Sequence, residues 1–472
     1  MRVTDALHRH ARTRPYALAV ADGDLRLSWA DLARLVDEAV ASLCQQGLIE
    51  GDRVALRAAD GAAALIAALA VLHTGGVHAP IDHTLTPPEI SAAETVLGVR
   101  WRLVLERTAP LAALTLEATG QAHGADPLAP RHSAFLRCSS GTTGLAKGIL
   151  LSHSTIVARI AAANAGLGLT AEDRVLWLLP MAYHFAVSIL LYLEVGAAIV
   201  FGNSLRASTT AARAREHAVT FLYGSPWHIR RLAELPTGQD LPASLRQVVS
   251  TTIALDADAA ALFHRRHGRG VRQAFGIIEA GLPLLSAGEP GETVGRFVIQ
   301  PAFQVAVLSP AGEAVSRGVA GELAITGPGL FDAYLSPWQP RQAGWFRTGD
   351  VARIEDDGSV QLLGRIKDVI NVGGVKVFPL EVEAVLSAHP AVVACRVHGA
   401  SDPRTGEQVV AEVAVSCAVD ASALVAWCAE RLAPLKRPAQ IAIHSHLPMT
   451  PSGKVRRPQR PSSGDASPSS PA

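Results

Sequence analysis

CSSGTTGLAKG, residues 138–148, packs three glycines, four hydroxyl side chains and one lysine into eleven positions. Glycine lets backbone N–H groups approach an oxygen closely, and hydroxyls and an ammonium add donors and charge. The stretch lies between two β-like runs, AFLRC and GILLSH. It therefore reads as a phosphate-binding loop on a sheet. It is not the GxxxxGK[ST] kind that leads into a helix and holds magnesium with a hydroxyl, because Lys147 is followed by Gly148.

Working outward, helix and strand patterns alternate from residue 28 to about 280. Ser28 opens a helix over 28–46 with Asp31 three residues on, and Leu32, Leu35, Val36, Val40 and Leu43 form its apolar stripe. Strands are expected at 53–56, 101–105, 175–179, 198–201, 220–223, 247–249 and 271–275, with an Ala-rich helix at 62–72. Such alternation predicts an α/β fold of mainly parallel sheets covered by helices. Near residue 291 the pattern turns to short β runs with little helix. From about 366 it becomes a small α+β segment. The domain expectation is an α/β core at 1–290, a β-rich subdomain at 291–365, a small α+β lid at 366–457, and a disordered Pro/Ser-rich tail at 458–472.

The chain has 472 residues and a formal net charge of +1, which argues against a nucleic-acid partner. Its five cysteines are scattered and form no CxxC pair. A disulfide framework or zinc site is not expected, and a reducing, cytoplasmic setting fits. The most apolar stretch, 184–202, is broken by Glu194 and Gly196 and reads as a buried helix and strand rather than a membrane span. One bias is sharper. Of 43 basic residues only five are lysine: Lys147, Lys367, Lys376, Lys436 and Lys454. A chain that meets most charge needs with arginine keeps lysine where a compact ammonium suits.

SSGTTGLAKG resembles the nucleotide loop of the adenylate-forming superfamily, which includes acyl- and aryl-CoA synthetases, peptide-synthetase adenylation domains and luciferases. Six further segments resemble that family's motifs in order: QAFGIIEAG (273–281), GELAITGPG (321–329), GWFRTGD (344–350), GRIKDVINVGG (364–374), LAPLKRPAQI (432–441) and PMTPSGKVRR (448–457). All five lysines fall within or just after these segments.

The resemblance implies ATP-dependent activation of a small carboxylic acid to acyl-AMP, then transfer to the thiol of CoA. Transfer to the phosphopantetheine of an acyl carrier protein or another nucleophile is the alternative, and a non-catalytic nucleotide-binding relative a third. It further implies that Ser139, Ser140, Gly141, Thr142, Thr143, Gly144 and Lys147 hold the ATP phosphates. Glu279 would bind Mg²⁺. Phe275 and Gly276 would face the adenine, Asp350 would accept from the ribose hydroxyls, and Arg365 would hold ribose and phosphate. Lys454 would bridge the carboxylate and the α-phosphate. Lys367 would be the hinge of a rotating C-terminal domain, with Gly373, Gly374 and Lys376 beside the thiol's path. His184, in PMAYHFAVS (180–188), falls where acyl and aryl members often carry histidine near the carboxylate. Two departures stand out. Ile278 replaces a threonine, and Thr251 and Thr252 in STTIAL (250–255) replace glycines that leave room for the acyl group. Their bulk predicts a shallow pocket for a small or flat acid.

Overall fold

A computed structural model describes residues 2–105, 114–120, 133–139, 147–202, 206–289, 291–292 and 295–448. The chain divides into two compact units, Met1–Leu362 and Leu363–Ala472.

The first unit is built on two sheets. One has a parallel heart, with Leu18–Asp22, Ala198–Phe201, Arg174–Trp177, Phe221–Gly224, Gln247–Ser250 and Arg272–Ile277 as successive neighbours. Their runs are almost continuously apolar, as strands buried on both faces must be. Beyond Arg272–Ile277 the pairing turns antiparallel through Gly281–Leu285 and Arg296–Ile299 to Val360–Arg365, and Gly321–Thr326 pairs antiparallel with Gln304–Leu308 and Phe346–Ile354. The second sheet carries the glycine-rich stretch. Arg53–Ala58, Val77–Asp82 and Ser133–Ser139 run parallel, and Ser133–Ser139 then pairs antiparallel with Lys147–Ser152.

Helices join the sheets. Ala62–His73 is apolar all round and packs on strands of both, with ten residues buried. Burying each of its larger side chains is worth roughly 1.5–3 kcal/mol. Trp29–Gln45 begins with the expected capping box, Ser28 Oγ accepting from the Asp31 amide at 3.1 Å, a contribution of about 1 kcal/mol. The apolar stretch after His184 forms one wide π-helical turn, Phe185–Ile189, then the helix Leu190–Val195 and the strand Ala198–Phe201. Among the described residues no helix is long and apolar enough to cross a membrane.

The second unit is a five-stranded sheet in which Gly406–Val415 pairs antiparallel with Val392–Asp402 and parallel with Gln440–His444. Helices Pro379–Ser387 and Ala421–Arg431 complete its own core around Val382, Leu386, Val397, Val413 and Leu424. All five cysteines are free thiols. Cys44 and Cys417 are exposed and Cys428 is buried. Burial pushes the Cys138 thiol up to about 11.

Candidate active site

Strand Arg272–Ile277 ends in a turn that carries Glu279 before the chain returns as Gly281–Leu285. The turn is held from behind by Arg159, which is fully buried on helix His153–Leu167. Its guanidinium donates to the carbonyls of Ile278 (2.7 Å), Glu279 (3.3 Å) and Gly329 (2.8 Å). Burial pushes its pKa down to about 10, opposed by the Glu279 and Asp332 carboxylates, so it stays cationic at neutral pH. Two glycines are required by this packing. A Cβ on Gly281 (φ +83°) would lie 2.8 Å from Arg159 Cγ, and one on Gly329 (φ +72°) 2.5 Å from the Arg159 backbone. The Glu279 carbonyl also accepts from the Phe331 amide at 2.8 Å.

That last contact brings in the short strand Ala333–Leu335, which pairs with Lys147–Ser152 in the other sheet. Tyr334 lies opposite Ile149, so Lys147, two residues earlier, shares its face. The Lys147 ammonium sits 4.9 Å from the Tyr334 ring centroid, and the Tyr334 hydroxyl donates to Glu279 Oε1 at 3.5 Å. Burial and the neighbouring Glu279 carboxylate push the Tyr334 phenol up, which keeps it a donor. The glycine-rich strand pair and the Glu279 turn thus meet through one phenol.

The helix Met181–His184 follows the strand Arg174–Trp177. His184 stands edge-on to Trp177 (6.0 Å) and Tyr223 (6.2 Å), which stack on each other at the C-terminal ends of parallel strands. The next strand ends at Ser250, and Thr251 Oγ1 donates to the Ala274 carbonyl at 3.0 Å. Thr252 has φ +84°, a left-handed conformation that a β-branched side chain adopts only under strain. Bulk is therefore enforced where a glycine would sit without cost. Gly276 is exposed, and a Cβ there would lie 2.8 Å from the Gly281 carbonyl oxygen. Phe275 packs edge-on to Phe297 at 6.4 Å. Ile278 packs against the main apolar core.

Asp350 is 7% exposed on strand Phe346–Ile354, and its amide is held by Thr348 Oγ1. In the second unit, Arg365 ends its strand, Lys367 is exposed in the 3₁₀ turn Ile366–Asp368, and Lys376 is exposed on Val375–Val377. Gly373 and Gly374 have φ +58° and +89° and form the two-residue turn between Ile370–Val372 and Val375–Val377. Two positive φ values in a hairpin turn call for glycine by themselves. Lys436 is ion-paired with Glu381 at 2.5 Å, a role within this unit's own fold. Ser139 closes its strand. Ser140, Gly141, Thr142, Thr143, Gly144 and Lys454 lie outside the described residues.

Sequence reasoning missed Arg159, Tyr334 and Arg137. Arg159 had a signal, a charge on the stripe Ile156, Ile160, Ala163 that packs inward. A cavity of about 370 Å³ elsewhere in this unit, lined by Arg57, Glu94, Arg102 and Glu117 among others, contains none of the expected site residues.

A family model described as AMP-binding enzyme matches residues 7–335, and one described as AMP-binding enzyme C-terminal domain matches residues 381–454. The chain belongs to the AMP-binding enzymes. This AMP-binding enzyme is 30% identical to a feruloyl-CoA synthase of an Amycolatopsis species, over 95% of its own length and 96% of the relative's. It is 33% identical to a sulfoacetate–CoA ligase of Cupriavidus necator, over 70% and 67%. Its fold superposes on ATP-bound MatB from Rhodopseudomonas palustris with a TM-score of 0.84, covering 96% and 97% of the two chains at 24% identity. It is an enzyme of the adenylate-forming superfamily, with the mixed α/β architecture and small C-terminal unit expected from its sequence.

Proposed function

We propose that this enzyme activates a small or flat carboxylic acid with ATP and transfers the acyl group to CoA. The observation that carries the proposal is the chain Lys147–Tyr334–Glu279, which sets a cation and a carboxylate on either side of one phenol beside the glycine-rich stretch. In the first half, a carboxylate oxygen of the acid bonds to the α-phosphorus and the bond to pyrophosphate breaks. In the second, a thiolate adds to the acyl carbon and AMP leaves with the electron pair.

The reaction brings anions together, so the protein's part is placed charge and fixed donors. Lys147 serves the departing phosphates with Ser139, Ser140, Thr142 and Thr143. Lys454 serves the carboxylate and the α-phosphate. Glu279, whose carboxylate offers hard oxygens beside the Tyr334 hydroxyl, fits Mg²⁺, which takes one or two carboxylates and completes its shell with phosphate and water. Bound there, Mg²⁺ neutralises charge on the phosphates. Asp350 and Phe275 orient the nucleoside. His184, framed by Trp177 and Tyr223, orients the acid, and Thr251 and Thr252 limit its depth. Arg365 holds ribose and phosphate, and Lys367, Lys376 and the Gly373–Gly374 turn belong to the thiol-transfer half. The CoA-ligase relatives support CoA as acceptor.

The test is pyrophosphate release from ATP across acetate, branched, aryl, dicarboxylic and long-chain acids, with CoA, a carrier-protein arm or no thiol. Release with short or flat acids and thioester formation with CoA are expected. A folded enzyme that releases no pyrophosphate with any acid sinks the proposal.

A further inference from the structure

Arg137 lies on the strand Ser133–Ser139, four residues before Gly141, the first glycine of the glycine-rich stretch. Along this strand Leu136 and Cys138 face one apolar cluster. Phe135 points the other way, toward Phe185 and His78. By the same alternation Arg137 follows Phe135 onto that face.

Its guanidinium is poorly served there. Nη1 donates to the Tyr183 carbonyl at 2.6 Å, and the group lies over the Tyr183 ring at 4.9 Å. Nε is enclosed and has no hydrogen-bond partner among the described residues. The side chain as a whole is half-buried, and of a guanidinium's five N–H donors one is paired with protein among the described residues. Burial lowers its pKa, opposed by the Tyr183 phenol, then the Glu279 carboxylate, then the Cys138 thiol. Among the described residues Arg137 makes no ion pair, and the carboxylate that acts on it, Glu279, is engaged with Tyr334 instead. Keeping an enclosed N–H donor from water without an acceptor is costly. A purely structural role would be served by Gln, which can also donate to the Tyr183 carbonyl, without that cost. Arg159 makes the contrast, since it is fully buried and spends its donors on three carbonyls.

We infer that Arg137 is a ligand-binding residue whose guanidinium takes an oxyanion of the reacting pair, at the junction of the Met181–His184 helix and the Glu279 turn. The inference rests on the function proposed above. The oxyanion has two sources, a phosphoryl group of the nucleotide or a carboxylate of the acid. Both match the planar donor fork of an arginine.

The experiment compares full-length wild type with Arg137→Met and Arg137→Gln. Acid-dependent pyrophosphate exchange gives kcat and separate KM values for ATP and acid. Calorimetric titration with a non-hydrolysable ATP analogue plus Mg²⁺ gives nucleotide affinity whether or not exchange is seen. The expected result is a loss of kcat/KM of at least about 100-fold in Arg137→Met, with thermal unfolding within a few degrees of wild type. A phosphoryl contact raises KM for ATP and the analogue Kd together, by the same factor for every acid. A carboxylate contact raises KM for the acid and leaves the analogue Kd unchanged. Should Arg137→Met misfold, Arg137→Gln keeps a donor for Tyr183 and carries the same readout. Values within threefold of wild type for both KM values and for the analogue Kd, in either folded variant, overturn the inference. Failure of wild type to exchange with any acid while the analogue still binds counts against the proposed reaction, not against Arg137.

Discussion

The turn carrying Glu279 and the turn carrying Gly373–Gly374 both depend on glycine, for different reasons. At the first, Gly281 is fixed by φ and by space, because Arg159 fills the volume a side chain would need. At the second, φ alone decides. A Cβ on Gly374 would meet nothing within 4 Å, and the flanking Lys376 is exposed. One set of residues is positioned by burial and the other by local backbone geometry. Where burial positions a residue, its loss costs stability and activity together. Where local geometry does so, the two can be separated.

The largest break in that comparison is Arg159→Met. It removes a donor from three inward carbonyls, of which that of Glu279 keeps the Phe331 amide, and should lower unfolding stability by roughly 2–4 kcal/mol in urea titrations, with activity lost in parallel. A change under 1 kcal/mol would show that the turn holds itself. Gly281→Ala comes next, about 1–3 kcal/mol, since strain at positive φ adds to a contact with Arg159. Gly374→Ala pays only the backbone term and should cost about 1 kcal/mol by the same measurement. Equal costs at the two glycines would mean that the Arg159 contact relaxes freely. Lys367→Ala is the smallest, within about 0.5 kcal/mol, because the side chain is exposed. Its effect should appear only in thioester formation, with pyrophosphate exchange kept. Loss of both together would refute a role confined to the second half.

Much of this was legible beforehand. The parallel strands near 175, 198, 221, 247 and 272 announced themselves as apolar runs, and Ser28–Asp31 announced its helix. The helix Asp5–Thr13 and the hairpin Leu18–Asp22/Leu25–Ser28 did not. The helix is rich in His and Arg, and the strands are too short to set a period. Motif residues were found because the residue types themselves are unusual. Tyr334 was not, because a three-residue strand has no pattern and its importance comes from the register that sets it beside Lys147. The lysine bias needed refinement too. Lys147 sits over the Tyr334 ring, while Lys436 holds Glu381 in an ion pair that arginine could also make.

The distribution of thiols has a practical consequence. Cys138 resists alkylation at neutral pH because its thiolate is scarce, and Cys428 is buried. The exposed pair, Cys44 in the first unit and Cys417 in the second, remains the more reactive. With the half-exposed Cys395 of the second unit replaced by serine, the chain carries one exposed attachment point for a spin label or fluorophore on each body. Distances between such labels, recorded with ATP alone and then with acid and CoA, would test whether one unit turns against the other.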